Sequence, residues 1–380
     1  VYPGILLIID PRAQQARKIN TELLSKLQQD GSPAPVTASK EGWSATVFAP
    51  AARESYCGAD IFSSDGDILM WAGEMFLPDS WTGDSRSSGN SIRNISYALL
   101  QQLRKNAIEP LADIDGGFCG AWYNAQEDCW SIFNDRQGLL PIFYHVDHDR
   151  LVIAPKAWLA WLASGKPLAV NDNGVLDLLR TTNMTGENTL IKDVHWLLGG
   201  HTLRWSQGSL SKRRYWDFSF SPDPRLHEED QIDRFADRLS QSMQRNKQTE
   251  SPLRLGITGG LDSRLILSFS QRTGRLPACF TVGWPFSEDV RFGRAQARAV
   301  GAPHDWVPLE AAGLPEALAD AIVRVDGLHS ATHLAPATAM LPYLRQKSGS
   351  VLLEGYLLGL LGGPFVPEDD DIQNAQPPHQ

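Results

Sequence analysis

Cysteine is scarce. The four residues, Cys57, Cys119, Cys129 and Cys279, form neither a C-x-x-C pair nor a zinc-type spacing, so a cysteine-ligated metal site is excluded by pattern. A reduced, cytoplasmic chain is the expectation. Positive charge is short as well: 35 Lys and Arg against 44 Asp and Glu leave a net charge of −9, with no Lys/Arg block. A dedicated nucleic-acid binder carries a basic face, so that class is excluded. The apolar run at residues 4–9 is too short to span a membrane and lacks a basic flank, so neither a membrane anchor nor a signal segment is read there. The chain does not begin with Met, as expected where the first residues are missing or processed.

What is present is ordinary for a globular protein: 380 residues, 42% hydrophobic and 21% charged, a length that suggests two domains or a little more. The chain is organised around Leu255-Gly256-Ile257-Thr258-Gly259-Gly260-Leu261-Asp262-Ser263-Arg264. An apolar run leads into paired glycines and then into the apolar stretch Leu265 to Phe269, which reads as strand, tight turn and helix. Without a Cβ, Gly259 and Gly260 let backbone N–H groups approach an anion closely. The helix starting near Asp262 points its partially positive end at the same spot. Thr258 and Ser263 add hydroxyl donors. Asp262 would repel a bare phosphate and makes sense with a cation between them, most simply Mg²⁺. A plain Gly-Gly turn before a buried helix is the structural alternative.

The stretch is neither a Walker A loop, since no Gly-Lys-Ser/Thr follows, nor a G-x-G-x-x-G fingerprint. It resembles the S-G-G-x-D-S signature of the PP-loop ATP pyrophosphatases, with Thr258 in place of the usual Ser. That resemblance implies cleavage of ATP between the α- and β-phosphates and activation of a carboxyl or carbonyl oxygen as an adenylate.

Ahead of the loop the chain reads mainly as paired strands. Gly4 to Ile9 reads as a buried strand and Gln14 to Gln29 as an amphipathic helix. Trp43 to Phe48 and Ile68 to Phe76 are strand-like, and Ser91 to Lys105 is helical, with Ile92, Ile95, Leu99, Leu100 and Leu103 on one face. A hairpin over residues 118–133, a turn at Asn134-Asp135-Arg136-Gln137-Gly138, and strands from Pro141 to His145 and Leu151 to Ala154 follow. Such pairing predicts sheet packed on sheet with flanking helices.

In this order the pieces resemble the N-terminal glutaminase domain of the asparagine synthetase family. The resembling stretches are Trp71-Ala72-Gly73-Glu74-Met75-Phe76, Asp115 to Trp122, Asn134 to Tyr144, Gly186 to Leu190, and Gly199-Gly200-His201-Thr202-Leu203 with Arg214-Tyr215-Trp216-Asp217. The implied fold is an α+β N-terminal-nucleophile-like (Ntn-like) αββα sandwich over residues 1–218. An α/β parallel-sheet PP-loop (HUP-like) domain would follow over 219–363, and a disordered polar tail over 364–380. The glutaminase chemistry does not carry over. Pro3-Gly4-Ile5 stands where the family's amidotransferases have Cys-Gly-Ile, and proline offers no nucleophile. Ala72 replaces the Asn that would hold the oxyanion, and Asn90-Ser91-Ile92 departs from the segment that grips the glutamine α-amine. The resemblance is therefore nearer the β-lactam synthetase and lasso-peptide cyclase type.

In the second half, Pro222-Asp223-Pro224 marks a linker and Glu228 to Lys247 a helix. Ala278 to Gly283 is the next strand. By resemblance Val282 contacts adenine through its main chain, while a plain core strand is the alternative for its side chain. Ser287 to Gly301 reads as a helix, His304 to Leu309 as a third parallel strand, and Leu314 to Val325 as a helix. His304 reads as packing or surface, and the i,i+4 pair His329 and His333 as solvated or substrate-facing, since no H-E-x-x-H accompanies it. Residues 350–363 form the fourth strand and its loop. They resemble the family's Ser-Gly-Glu-Gly-Ala-Asp-Glu segment, with Leu357, Leu358 or Gly359 in place of its second metal-binding acid. Glu354 is the candidate to substitute for it geometrically.

The resemblance thus implies an AMP-forming amide ligase without glutamine hydrolysis. Ile257, Thr258, Gly259, Gly260, Leu261, Asp262, Ser263, Val282, Glu354 and Gly355 would hold ATP, Asp262 would hold Mg²⁺, and Tyr356 would be the base candidate. Small-molecule or peptide carboxylates and amines are the implied substrates, and a homodimer the implied assembly. The alternative is a catalytically degenerate or truncated member that binds nucleotide or acts as a scaffold, as the missing second acid and the lack of the family's helical acceptor segment after residue 363 would suggest.

Overall fold

A computed structural model describes residues 3–27, 34–50, 57–82, 91–219, 221, 225–245, 251–347 and 350–354. The chain divides into two units, residues 1–221 with 319–331, and residues 222–318 with 332–380. Residues 319–331, inside the second domain by sequence, group here with the first unit. Asn90, the Pro222–Pro224 linker, Gly355, Tyr356 and residues 357–380 lie outside the described residues.

The first unit opens with strand β1 (Gly4–Ile9) and helix α1 (Ala13–Leu27), followed by hairpins β2 (Val36–Lys40) with β3 (Trp43–Phe48) and β4 (Cys57–Ser64) with β5 (Asp67–Glu74). A short α2 (Asp79–Thr82) precedes α3 (Ile92–Asn106). Hairpins β6 (Phe118–Asn124) with β7 (Cys129–Asn134) and β8 (Ile142–Asp147) with β9 (Arg150–Ala154) come next. Then follow α4 (Ala157–Ser164), α5 (Asp172–Thr181), β10 (His195–Leu197), β11 (His201–Ser206) and β12 (Ser209–Arg214). Ser91, expected inside α3, is its N-cap, accepting the Asn94 amide at 3.3 Å.

Two six-stranded antiparallel sheets result, in the orders β10-β8-β9-β1-β3-β2 and β12-β11-β7-β6-β5-β4. The side chains of β1 alternate in partner: Ile5, Leu7 and Ile9 pack into the core shared by both sheets, while Leu6 and Ile8 pack with α1 and α4. In β5, Ile68, Met70 and Ala72 face the shared core and Leu69 and Trp71 pack on α3. Both faces of these strands are buried, and this is why they read as continuous apolar runs rather than an in-out alternation. The architecture is a four-layer αββα sandwich. Asp65-Gly66 and Gln207-Gly208 both take positive φ at their tight hairpin turns, the backbone twist that such turns require.

The Asn134–Gly138 motif is a structural turn. Asp135 is fully buried and accepts amides from Phe118, Gln137 and Leu140 at 3.2, 2.9 and 3.4 Å. Burial pushes its carboxyl above the usual range despite those donors. Asn134 donates to the carbonyls of Leu197 and Leu198 at 3.0 and 3.1 Å.

The second unit begins with α6 (Glu228–Arg245), then β13 (Leu253–Gly256), α7 (Leu261–Thr273), β14 (Ala278–Gly283), α8 (Glu288–Ala299) and β15 (His304–Pro308). The chain continues through α9 (Leu314–Arg324), α10 (Ala331–Ala339), α11 (Leu341–Gln346) and β16 (Val351–Leu353). The sheet is wholly parallel, in the order β15-β14-β13-β16. Successive strands run outward from β13 to one side and then return to its other side at β16. The switch point therefore lies between β13 and β16, and a crevice at their carboxyl ends is where such a sheet takes a ligand. No described helix is long and apolar enough to cross a membrane.

Candidate active site

The crevice is built by the turn from β13 into α7. Its helix has Gly260 as N-cap, at φ −69° and ψ 166°, and no side chain caps it. The first-turn amides of α7 therefore face outward without a side-chain partner, an arrangement that favours an anion. A cavity of about 500 Å³ opens there, within the size range of small-ligand pockets.

Of the residues singled out by sequence, Ile257, Thr258, Gly260, Leu261, Asp262, Ser263, Val282 and Glu354 line this cavity. Gly256, Phe280, Thr281, Ala337 and Met340 complete the lining and were not foreseen. Phe280 and Thr281 immediately precede Val282 on β14, so the strand assignment carried a signal for them. Ala337 and Met340 come from α10 and its end, more than fifty residues beyond Val282 in sequence, with no motif to mark them.

Gly259 does not line the cavity; its amide donates to Asp289 Oδ1 at 2.9 Å. The Gly260 amide donates to Thr258 Oγ1 at 3.2 Å and the Thr258 amide to Ser263 Oγ at 3.3 Å. Thr258 and Ser263, expected to be phosphate donors, thus bond within the turn and hold it together. Arg264 Nη2 donates to the Gly259 carbonyl at 3.2 Å.

Helix α8 is seated on the end of β13 through Gly293. A Cβ there would lie 2.3 Å from Thr281 Oγ1 and 2.9 Å from the Ile257 carbonyl. Thr281 Oγ1 in turn donates to that carbonyl at 2.6 Å and lies 2.9 Å from His304 Nε2. His304 is thus a prop behind the loop, its imidazole pushed below the usual value by burial. Gly293→Ala is expected to cost about 1–3 kcal/mol by overpacking and to weaken any ligand held by the loop. An unchanged melting temperature together with unchanged ligand affinity would contradict this.

Asp262 is half-buried and Glu354 exposed, both on the cavity wall. Among the described residues no group of three or more His, Cys, Asp or Glu could hold a metal. Two carboxylates still fit Mg²⁺, which is commonly held by one or two carboxylates, with phosphate oxygens and waters completing its shell. His329 Nδ1 lies 2.6 Å from Asn183 Oδ1, in the first unit, and His329 is not among the residues lining this cavity.

In the first unit, Cys57, Cys119 and Cys129 are buried. Cys119 is fully buried, and burial pushes its thiol well above the ordinary value, the opposite of an activated thiolate.

Two family models match the chain. One is a glutamine amidotransferase domain over residues 90–216, the other asparagine synthase over residues 234–357. No curated protein matches. Among solved structures, glutamine phosphoribosylpyrophosphate amidotransferase from B. subtilis, complexed with ADP and GMP, aligns at 12% identity and a TM-score of 0.39, over 80% of this chain and 65% of that one. An NH3-dependent NAD synthetase from Campylobacter jejuni, in complex with nitrate, aligns at 14% identity and a TM-score of 0.24, over 36% of this chain and 60% of that one. The chain therefore spans less than two thirds of the length of either.

Proposed function

We propose that this chain, which belongs to the asparagine synthetase family, joins a carboxylate to an amine at the expense of ATP, through an acyl-adenylate and without hydrolysing glutamine. The observation that carries the reading is the uncapped N-terminus of α7 at the sheet's switch point, opening on a cavity walled by Thr258, Ser263, Asp262 and Glu354.

The chemistry then runs in two displacements. A carboxylate oxygen of the substrate attacks the α-phosphorus of ATP, and the bond to the β-phosphate oxygen breaks, releasing pyrophosphate. Turn amides and the α7 N-terminus stabilise the charge that grows on that leaving group. Mg²⁺, held by Asp262 with Glu354 as the second carboxylate, would neutralise phosphate charge when bound. An amine nitrogen, or free ammonia, next attacks the acyl carbon; AMP leaves with the bonding electrons and the amine gives up a proton. Tyr356 is the proposed acceptor of that proton. Val282 is proposed to hold adenine through its main chain. The substrates are small-molecule or peptide carboxylates and amines. Independence from glutamine is supported by Pro3 in place of the family's nucleophile and by the burial of every cysteine in the first unit.

The test is a thermal-shift titration with ATP and Mg²⁺ on the native chain and on Asp262→Ala. At about a hundred times the dissociation constant, the native chain should gain about 2.7 kcal/mol, and the gain should need Mg²⁺ and vanish in Asp262→Ala. Stabilisation is to be followed by assay for AMP and pyrophosphate with candidate acids and amines. Absence of any shift in the native chain would overturn the ligase reading. Binding with no AMP formed from any acid would favour a nucleotide-binding scaffold.

A further inference from the structure

The central amide of the phosphate turn is already bonded to an anion. Gly259 N–H donates to Asp289 Oδ1 at 2.9 Å. Asp289 lies in the first turn of α8, whose Ser287 N-cap accepts the Val290 amide at 3.4 Å. The glycine contact at Gly293 brings that helix close enough for the carboxylate to reach the turn, since a Cβ on Gly259 would sit 3.4 Å from Asp289 Oδ1.

The neighbouring amides are treated differently. Those of Gly260 and Thr258 donate to the hydroxyl oxygens of Thr258 and Ser263, neutral acceptors on rotatable side chains that an incoming acceptor can replace. A carboxylate on Gly259 makes a charge-assisted bond, roughly twice as strong as a neutral one. It also repels an incoming phosphate. A polyphosphate reaching the turn must displace Asp289 or arrive with a cation that offsets both charges.

We propose that Asp289 is an internal anion on the Gly259 amide that makes this turn selective for metal-loaded over metal-free polyphosphate. The inference rests on the nucleotide-site reading above and adds a regulatory condition to it. Asp289 acts here as a positioning residue, through the turn, and the readout is a ratio of affinities rather than a rate.

The experiment is calorimetric titration of the full chain with inorganic pyrophosphate, with and without Mg²⁺, for the native protein, Asp289→Asn and Asp289→Ala. Asn keeps an acceptor oxygen and removes the charge, while Ala frees the amide. In both variants metal-free pyrophosphate is expected to bind about tenfold tighter, a change equivalent to about 1.4 kcal/mol, while binding with Mg²⁺ stays close to native. The ratio of the two affinities therefore falls about tenfold. A ratio unchanged in both variants overturns the proposal while leaving the nucleotide site intact. Loss of Mg²⁺-dependent binding in Asp289→Asn also overturns it, because Asp289 would then be holding the cation. If the native chain binds no pyrophosphate even with Mg²⁺, the nucleotide reading itself fails and the proposal with it.

Discussion

Asp326→Ala is expected to cost the first unit about 3–5 kcal/mol, the range for breaking a buried ion pair from one side. Lys156 Nζ lies 3.2 Å from Asp326 Oδ2, with side chains only 5% and 4% exposed. The ammonium also donates to the Arg324 carbonyl. Lys156 is the N-cap residue of α4 and contributes no side-chain cap of its own. The pair therefore ties the start of α4 to a segment about 170 residues further along. Burial pushes Lys156 down and Asp326 up, both the direction in which lost hydration outweighs mutual attraction.

That balance makes losing one partner unlike losing the pair. Removing Asp326 leaves a buried ammonium without its carboxylate. Replacing both, with Lys156→Met and Asp326→Asn, removes both charges and leaves no uncompensated buried ion, so stability should return to within about 1–2 kcal/mol of native. Chemical denaturation followed by tryptophan fluorescence reads both values. A loss below about 1 kcal/mol in Asp326→Ala, within what an ordinary surface change accounts for, would contradict the argument.

Gly73→Ala should cost about 2–5 kcal/mol, the sum of a strained backbone and an overpacked contact. Gly73 sits at φ +123°, and a Cβ there would lie 2.2 Å from the Gly117 carbonyl oxygen and 2.8 Å from Phe118 Cα. Both are backbone atoms and cannot swing aside. The crossing is tied by the Glu74 amide, which donates to that same Gly117 carbonyl at 2.8 Å. It is repeated from the other side, where a Cβ on Gly116, at φ +113°, would lie 2.2 Å from the Glu74 carbonyl oxygen. A control separates the two causes. At Gly165, with φ +70°, an added Cβ would meet nothing within 4 Å, so Gly165→Ala carries only the cost of the left-handed conformation, about 1–2 kcal/mol. Equal losses at the two positions would show that the backbone contact at Gly73 contributes nothing.

The glycines illustrate how motif and mechanism part company. Gly73 was legible as one letter of a resembling stretch, Trp71 to Phe76, but its positive φ and its closeness to Gly117 depend on where β6 lies. The same holds for Asp135, which a motif marks and whose work is to gather amides from its own turn and from Phe118 on β6.

By itself the chain of residues determined its two-part organisation, the paired strands of the first part, the parallel strands of the second and the turn at Thr258–Ser263. Each rests on local physics: an apolar run buried on both faces, helical periodicity, and paired glycines ahead of a helix. Eight of the ten residues read as nucleotide contacts line one cavity, because seven of the ten are consecutive and Val282 and Glu354 sit at the ends of strands adjacent to β13. Only the tertiary structure decided which groups meet those residues. Ala337 and Met340 reach the cavity, Asp289 reaches the Gly259 amide, and Asp326 reaches the start of α4. These contacts join segments separated by 30 to about 170 residues, and their formation depends on how helices are seated on sheets. A side chain's type says what it can bond, while its partner is set by packing, and packing has no signature in a single stretch of sequence.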